Sequence, residues 1–366
     1  MTVTSFLIPH LSLLQQSYAL SVVANTKETD ILRKHGVGTD VTVVPIERGT
    51  CLVSDIKALI LLYRTLRKGH FDLVQSLTPK AGLLAMAAGW AARIPIRIHW
   101  FTGQVWLTKF GVARVILKFA DRLIAVFSTF VLVDSHSQRD FLVSEGIIQP
   151  VNSLVLGDGS VCGVDGERFR PNSQARESIR ASLQIPSDAI ILLYLGRLNR
   201  DKGVVDLATA FKDIAEEVPR LWLLVVGPDE QNISAQVKDI CHEWLTRFRQ
   251  IGFTDQPEKY MAAADIFCVP SYREGFGSSV IEASACGLPT VATKIYGLVD
   301  AVDEGNTGIL VSPGQVTELA ASIRLLAFDE ELRSKIGSRA RERAVALYEH
   351  TRLTNALKLL YDGLLN

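Results

Sequence analysis

Short runs of β-branched and other apolar residues alternate with longer stretches of helical spacing along the whole chain, the signature of parallel sheets covered by helices on both faces. In the first half the runs are 21–24, 41–44, 71–76, 97–100 and 130–133. Helical patterns lie between them, such as 55–68, where Ile56, Leu59, Ile60 and Tyr63 share one stripe. A second series runs through 190–195, 221–226, 266–269, 290–292 and 309–311. The pattern predicts two α/β domains.

Pro171, Asn172 and Ser173 interrupt the pattern before a new amphipathic helix, which places the boundary within 166–174. The expected division is 1–168, 169–348 and a final helix, 349–366, that crosses back onto the first domain. After Leu319 the chain reads as helix almost to its end, with Arg339, Arg341 and Arg343 on solvated turns. The opening MTVTSFLIPHLSLL has room for at most a short strand before helical spacing begins. A first strand and glycine-rich turn are therefore missing or abbreviated, through a late start or a real truncation.

Composition narrows the class. With 366 residues, 48% of them hydrophobic and 21% charged, the chain is globular and of two-domain length. Its 39 Lys and Arg match 39 Asp and Glu, so the basic excess that would argue for a nucleic-acid partner is missing. The balance is uneven, however. Residues 1–170 hold 18 bases and 13 acids, and residues 171–366 hold 21 and 26. Between 48 and 122 stand 12 bases and only three acids, and within that stretch 109–119 mixes Lys109, Arg114 and Lys118 with Phe110, Val115, Ile116 and Phe119. Such a segment suits an anionic membrane leaflet, and equally an amphipathic helix packed on a core. Five scattered cysteines with no CxxC pair indicate neither a disulfide framework nor a zinc site, and they fit a reducing cytoplasm. No apolar run reaches the roughly 20 residues of a spanning helix, and the N-terminus lacks the basic flank and cleavage site of a signal peptide.

The richest segment is 271–293, SYREGFGSSVIEASACGLPTVAT. A predicted strand runs into a loop with Glu274, Gly275, Phe276 and Gly277, and a helix opens near Ser278 or Ser279. A helix start behind glycines at a strand's C-terminal end offers free N–H groups and a positive dipole end, so a phosphate is expected there. Glu282 lies about one turn into the helix; Glu274 and Glu282 can border one crevice and accept hydrogen bonds from hydroxyls. Ser279-Val280-Ile281-Glu282 also reads as a capping box, in which Glu282 only satisfies the helix start. In LGRLNRDKG, Gly196 ends a strand and Arg197 and Lys202 follow in the loop. Two cations there would neutralise a diphosphate, each charge-assisted bond contributing roughly 1.5 to 3 kcal/mol; a solvated loop is the plainer alternative.

These segments, together with GSVCGVDGERF at 159–169, resemble glycosyltransferase family 4, retaining enzymes of the GT-B fold, in order and spacing over most of the chain. The resemblance implies two Rossmann-like domains facing across a crevice. It implies that Arg197 and Lys202 bind the donor diphosphate with the N–H groups of Gly277 and Ser278, that Glu282 takes the ribose hydroxyls, and that Glu274 contacts the transferred sugar. IERG at 46–49, FDLVQSLTPKAG and VLVDSHSQRDFL look like the subgroup that builds capsules and O-antigens, which implies a UDP-sugar donor, an undecaprenyl-diphosphate-linked acceptor, and a peripheral place on the cytoplasmic face of the inner membrane. An N-acetylhexosamine, UDP-GalNAc first, and an α-1,3 linkage follow from the same likeness.

On the acceptor side, Lys80 stands at a helix start after a strand, where it can meet an anion or be an ordinary surface lysine. Family members carry a His-Gly or His-Asp pair after the next strand; here Thr102 and Gly103 stand in that place, and His99, three residues early, either serves or is packed. No DxD, HExxH or P-loop pattern occurs, so no metal or other cofactor is expected. A UDP-sugar 2-epimerase and a non-catalytic UDP-sugar-binding protein are the rival readings. A dehydrogenase would need a Gly-x-Gly-x-x-Gly turn after the first strand, which is absent.

Overall fold

The computed structural model describes residues 6–47, 49 and 51–365. Contacts divide the chain into two units, one running to Gly163 and resuming at His350, the other Val164–Glu349. The divisions thus fall five residues before the expected 168/169 boundary and one after 348/349. The reason is local: the Val164 N–H donates to the Tyr348 carbonyl at 2.7 Å, which ties the connecting stretch to the second unit.

The first unit contains α1 Ile8–Leu14, β1 Val22–Ala24, α2 Ile31–Lys34, β2 Val41–Val43, α3 Leu52–Gly69 and β3 Leu73–Ser76. It continues with α4 Pro79–Ala91, β4 Ile96–Phe101, α5 Gly111–Phe127, β5 Phe130–Val133, α6 His136–Ser144 and β6 Ser153–Val155. The second unit contains α7 Ser173–Ser182, β7 Ile190–Leu195, α8 Val204–Ile214, β8 Leu221–Val226, α9 Ser234–Ile240, β9 Phe248–Ile251 and α10 Pro257–Ala263. After these come β10 Ile266–Val269, α11 Ser278–Ala285, β11 Thr290–Thr293, α12 Leu298–Ala301, β12 Gly308–Val311, α13 Val316–Phe328 and α14 Glu330–Tyr348. The final helix, α15 His350–Leu365, returns to the first unit and packs on α1.

In the second unit six parallel strands take the order β12-β11-β10-β7-β8-β9. Successive residues point to opposite faces, so Leu192, Tyr194, Leu223 and Val225 build one core with Phe211 and Ile323, while Ile191, Leu193, Leu224 and Val226 build the other with Phe276 and Ile281. Both faces are covered, which is why these strands are nearly continuous apolar runs. Each such side chain contributes about 1.5 to 3 kcal/mol by leaving water. Truncating the fully buried Phe211 to alanine would cost about 3 to 5 kcal/mol.

In the first unit the strands form two parallel sheets, β1-β2 and β3-β4-β5-β6. Their cores include Leu14, Ile98, Trp100 and Leu132, joined by Leu353, Leu357 and Tyr361 of α15. The buried His10 ring anchors that helix, its Nε2 donating to the Val161 carbonyl at 2.7 Å and its Nδ1 lying 3.1 Å from Thr354 Oγ1. The expected opening strand falls mainly on residues 1–5, outside the described residues; α1 precedes β1.

The fold gives the α3 stripe its side and corrects one expectation about α14. Of that stripe Ile56, Ile60 and Tyr63 look outward, while Leu59 packs partly against the core in which the helix buries Ala58, Leu62 and Leu66. Arg341 and Arg343 are not on solvated turns: Arg341 donates to the Ala285 carbonyl, and Arg343 to those of Ala301 at 2.9 Å and Asp300 at 2.8 Å, pinning α14 to the rest of its unit.

Candidate active site

The chain order in the six-stranded sheet reverses between β7 and β10: β8 and β9 are laid outward on one side, β11 and β12 on the other. Loops leaving the C-terminal ends of strands on either side of such a reversal diverge and leave room for a ligand. The loop after β7 carries Gly196, Arg197 and Lys202; the loop after β10 carries Glu274 to Gly277 into α11. Between them the backbones touch at Gly203, whose φ is +68° and where an added Cβ would lie 2.0 Å from the Pro270 carbonyl oxygen. Only glycine allows this approach.

The approach brings two predicted residues together across the reversal. Lys202 Nζ donates to Glu274 Oε1 at 2.5 Å, and Ser271 Oγ donates to the same oxygen at 2.9 Å. Both side chains are mostly withdrawn from water, 19% and 16% exposed. Arg197 is placed differently: its guanidinium is 2.9 Å from Glu230, which also accepts from Asn199 at 3.3 Å. Tyr194 donates to the Arg197 carbonyl at 2.7 Å, and burial, reinforced by the Glu274 charge, raises its phenol above the usual range.

Gly277, with φ +91°, is the N-cap of α11, and no side chain caps the helix. The leading N–H groups, Ser278 and Ser279 among them, therefore lack intrahelical acceptors and stand at the positive end of the dipole. The capping-box alternative fails, because Ser279 is the second helical residue and Glu282 the fifth. Burial pushes the half-buried Glu282 carboxyl up to about 7, with the Arg168 charge opposing the shift and Glu258 adding to it. Phe276 is corrected in part: its side chain sits in the core edge-on to Tyr348, ring centroids 5.2 Å apart, so only its backbone is available to a ligand. Flanking Phe276, Gly275 completes the loop; Gly196 sits at the end of β7.

Ser271, Glu230, Asn199 and Tyr194 escaped the reading of the sequence. Glu230 had a visible signal, since it follows the glycine turn after β8, the strand that neighbours β7. Ser271 and Tyr194 had none beyond proximity to the motifs.

In the first unit Lys80 is the second residue of α4, but its anion is internal: Nζ lies 2.6 Å from Asp55 of α3 and donates to the Gly49 carbonyl at 2.5 Å. Arg48 of the IERG segment lies outside the described residues. His99 is packed, 1% exposed, with Nδ1 2.7 Å from Ser76 Oγ and its ring filling the space that Gly82 leaves; burial lowers it to about 3. Thr102 and Gly103 follow β4, and the Thr102 carbonyl accepts from Gln104 at 2.7 Å and from Gln138 at 2.5 Å.

A largely buried ammonium and a helix start without a side-chain cap can stabilise a phosphate, and two carboxylates can orient hydroxyls. Residues 175–343 match the family described as "Glycosyl transferases group 1", and residues 13–159 the "Glycosyl transferase 4-like domain". The chain is 30% identical to the capsular polysaccharide biosynthesis glycosyltransferase CapM of Staphylococcus aureus, over 88% of this chain and 85% of that protein. It is 24% identical to the UDP-Gal:alpha-D-GlcNAc-diphosphoundecaprenol alpha-1,3-galactosyltransferase of Escherichia coli, over 86% and 81%. The crystal structure of Anabaena Alr3699/HepE in complex with UDP has the same fold, with a TM-score of 0.80 over 98% of this chain and 95% of that one at 20% identity. The expected architecture of two α/β domains with parallel sheets, as in GT-B glycosyltransferases, is thereby met.

Proposed function

This chain belongs to glycosyltransferase family 4, and on that premise we propose that it moves a sugar from a UDP-sugar to a sugar carried on undecaprenyl diphosphate, with retention, in the assembly of an O-antigen or capsule repeat. The observation that carries this reading is the Lys202–Glu274 pair beside the uncapped start of α11. In the proposed complex the donor diphosphate lies on the N–H groups from Gly277 to Ser279 and takes the Lys202 ammonium. Arg197, half exposed, turns to it from Glu230. Glu282 accepts from the ribose hydroxyls and Glu274 from hydroxyls of the transferred sugar.

Charge developing on the departing diphosphate is met by fixed protein donors, each worth about 2.7 to 4 kcal/mol of barrier. No divalent ion is proposed to take part, and a chelator should leave the rate unchanged. The acceptor is assigned to the first unit through Thr102 and Gly103; Lys80 reaches it only by leaving Asp55. The reading places the protein in the cytoplasm, peripheral on the inner membrane. The donor and the lipid-linked acceptor are supported by the UDP held by the Anabaena neighbour and by the printed activity of the E. coli relative. Because pocket contacts rather than fold set sugar choice, N-acetylhexosamine and an α-1,3 linkage are proposed from the likeness to polysaccharide enzymes.

The test is mass spectrometry of UDP-sugars incubated with short-chain GalNAc or GlcNAc diphosphate lipids. An acceptor heavier by one sugar is expected. Epimerised free UDP-sugar, or bound UDP-sugar with no product from any pair, would overturn the reading.

A further inference from the structure

We propose that the outward faces of α3 and α5, joined by α4, form a docking surface for an anionic lipid bilayer. The proposal deepens the reading of the acceptor as a lipid and rests on it for its biological sense. α4 packs between α3 and α5, so the three helices lie side by side.

On α3 the residues turned away from the buried row are apolar: Leu52 and Val53 are each 80% exposed, and Ile56, Ile60 and Tyr63 continue the face. Lys57, Arg64, Arg67 and Lys68 are interleaved with them and exposed, and none has an ion-pair partner among the described residues. α5 presents a second exposed apolar face. At about 100° per residue, Val112, Val115, Ile116, Phe119 and Val126, all exposed, fall within an arc of about 100°. Phe110, 84% exposed, precedes them, while Asp121 and Ile124 face the core. Arg122 lies about 20° beyond the edge of that arc, whereas Lys118 and Arg114 lie farther round toward the core side, and all three fix the helix to its unit. Lys118 pairs with Glu145, Arg122 donates to the Glu145 and Gly146 carbonyls, and Arg114 lies 5.6 Å over the Trp106 ring. α4 adds the exposed Trp90.

Large apolar side chains exposed in number on neighbouring helices mark an interaction site, and the free bases interleaved with them on α3 suit lipid headgroups, with lysine and arginine stems lying along the apolar layer. Charge selects the occupant. Of the three acids between 48 and 122, Asp55 is held by Lys80 and Asp121 is buried against the Trp106 indole N–H, which leaves Asp72. A second copy would meet this surface through the same patch and oppose basic rows to basic rows. An anionic leaflet offers the complement.

The test is co-sedimentation of the full chain with vesicles of phosphatidylglycerol and phosphatidylcholine in equal parts, and with pure phosphatidylcholine. The unaltered protein should bind the mixed vesicles, and salt should weaken the binding. Ile116→Glu with Phe119→Glu, and separately Arg64→Glu with Arg67→Glu, should each lower partitioning at least about tenfold. All four positions are at the surface, so thermal melting should be unchanged, as should transfer to a short water-soluble acceptor. Undiminished binding by both double variants, no binding of the unaltered protein to mixed vesicles, or a dimer in sedimentation equilibrium that Ile116→Glu with Phe119→Glu dissociates would overturn the proposal. Vesicle binding that responds to these variants without transfer to any acceptor would support the surface and refute the proposed function.

Discussion

Replacing Glu274 by glutamine separates two roles that the geometry gives one carboxylate. It holds Lys202 at 2.5 Å and Ser271 at 2.9 Å, so it competes with an incoming diphosphate for the ammonium. The glutamine carbonyl still accepts from the ammonium but lacks the opposite charge; exposed ion pairs contribute about 0.2 to 1 kcal/mol, so for this mostly buried pair the variant would hold Lys202 less tightly by about 1 to 1.5 kcal/mol. Affinity for UDP should rise about tenfold in calorimetry, since about 1.4 kcal/mol is one decade. Turnover should move the other way. The variant loses a preorganised group at the reacting sugar, a loss of about 2.7 to 4 kcal/mol of barrier, or two to three decades in rate. Glutamine keeps the shape and both hydrogen bonds, so the melting temperature should hardly move. Weaker UDP binding together with lower turnover, or turnover equal to the unaltered protein, would refute the reasoning.

Glu282 should make stability depend on pH. Burial raises its carboxyl from 4.5 to about 7, so the folded state keeps a proton that the unfolded chain has released; the penalty is absent below 4.5, grows as pH rises, and is complete above 7, at ~3 kcal/mol. Urea titrations at about pH 5 and about pH 8 should show Glu282→Gln losing less stability than the unaltered protein, and equal losses would contradict this. Gly203→Ala should destabilise by about 2 to 5 kcal/mol, through its positive φ and the collision with Pro270, and should lower turnover by displacing Lys202. An unchanged melting temperature would count against the close approach of the two loops.

The fully covered strands were the easiest elements to read. β5, β7, β8 and β10 have the expected bounds, because burial on both faces demands unbroken apolar runs. β6 and β9 escaped notice: each ends its sheet, β6 has three residues, and β9 holds Arg249 and Gln250 among its four. Edge strands are short and polar because solvent reaches them. Periodicity showed that Ile56, Ile60 and Tyr63 share a face of α3 without showing that the face is outside. Motif spacing found Lys202 and Glu274 separately, but their pairing across 72 residues depends on strand order, which local sequence does not state. Lys80 shows the same limit, since a helix start favours an anion and only the fold shows that Asp55 supplies it.

Whether the Lys202–Glu274 site transfers sugar is read most directly by mass spectrometry of the lipid-linked acceptor after incubation with the UDP-sugar that the unaltered protein uses. The unaltered protein should lengthen the acceptor by one sugar. Lys202→Ala and Glu274→Ala, with melting curves that show a folded chain, should lengthen it slower by about two to three decades. Near-equal lengthening by either variant would contradict the assignment of this site.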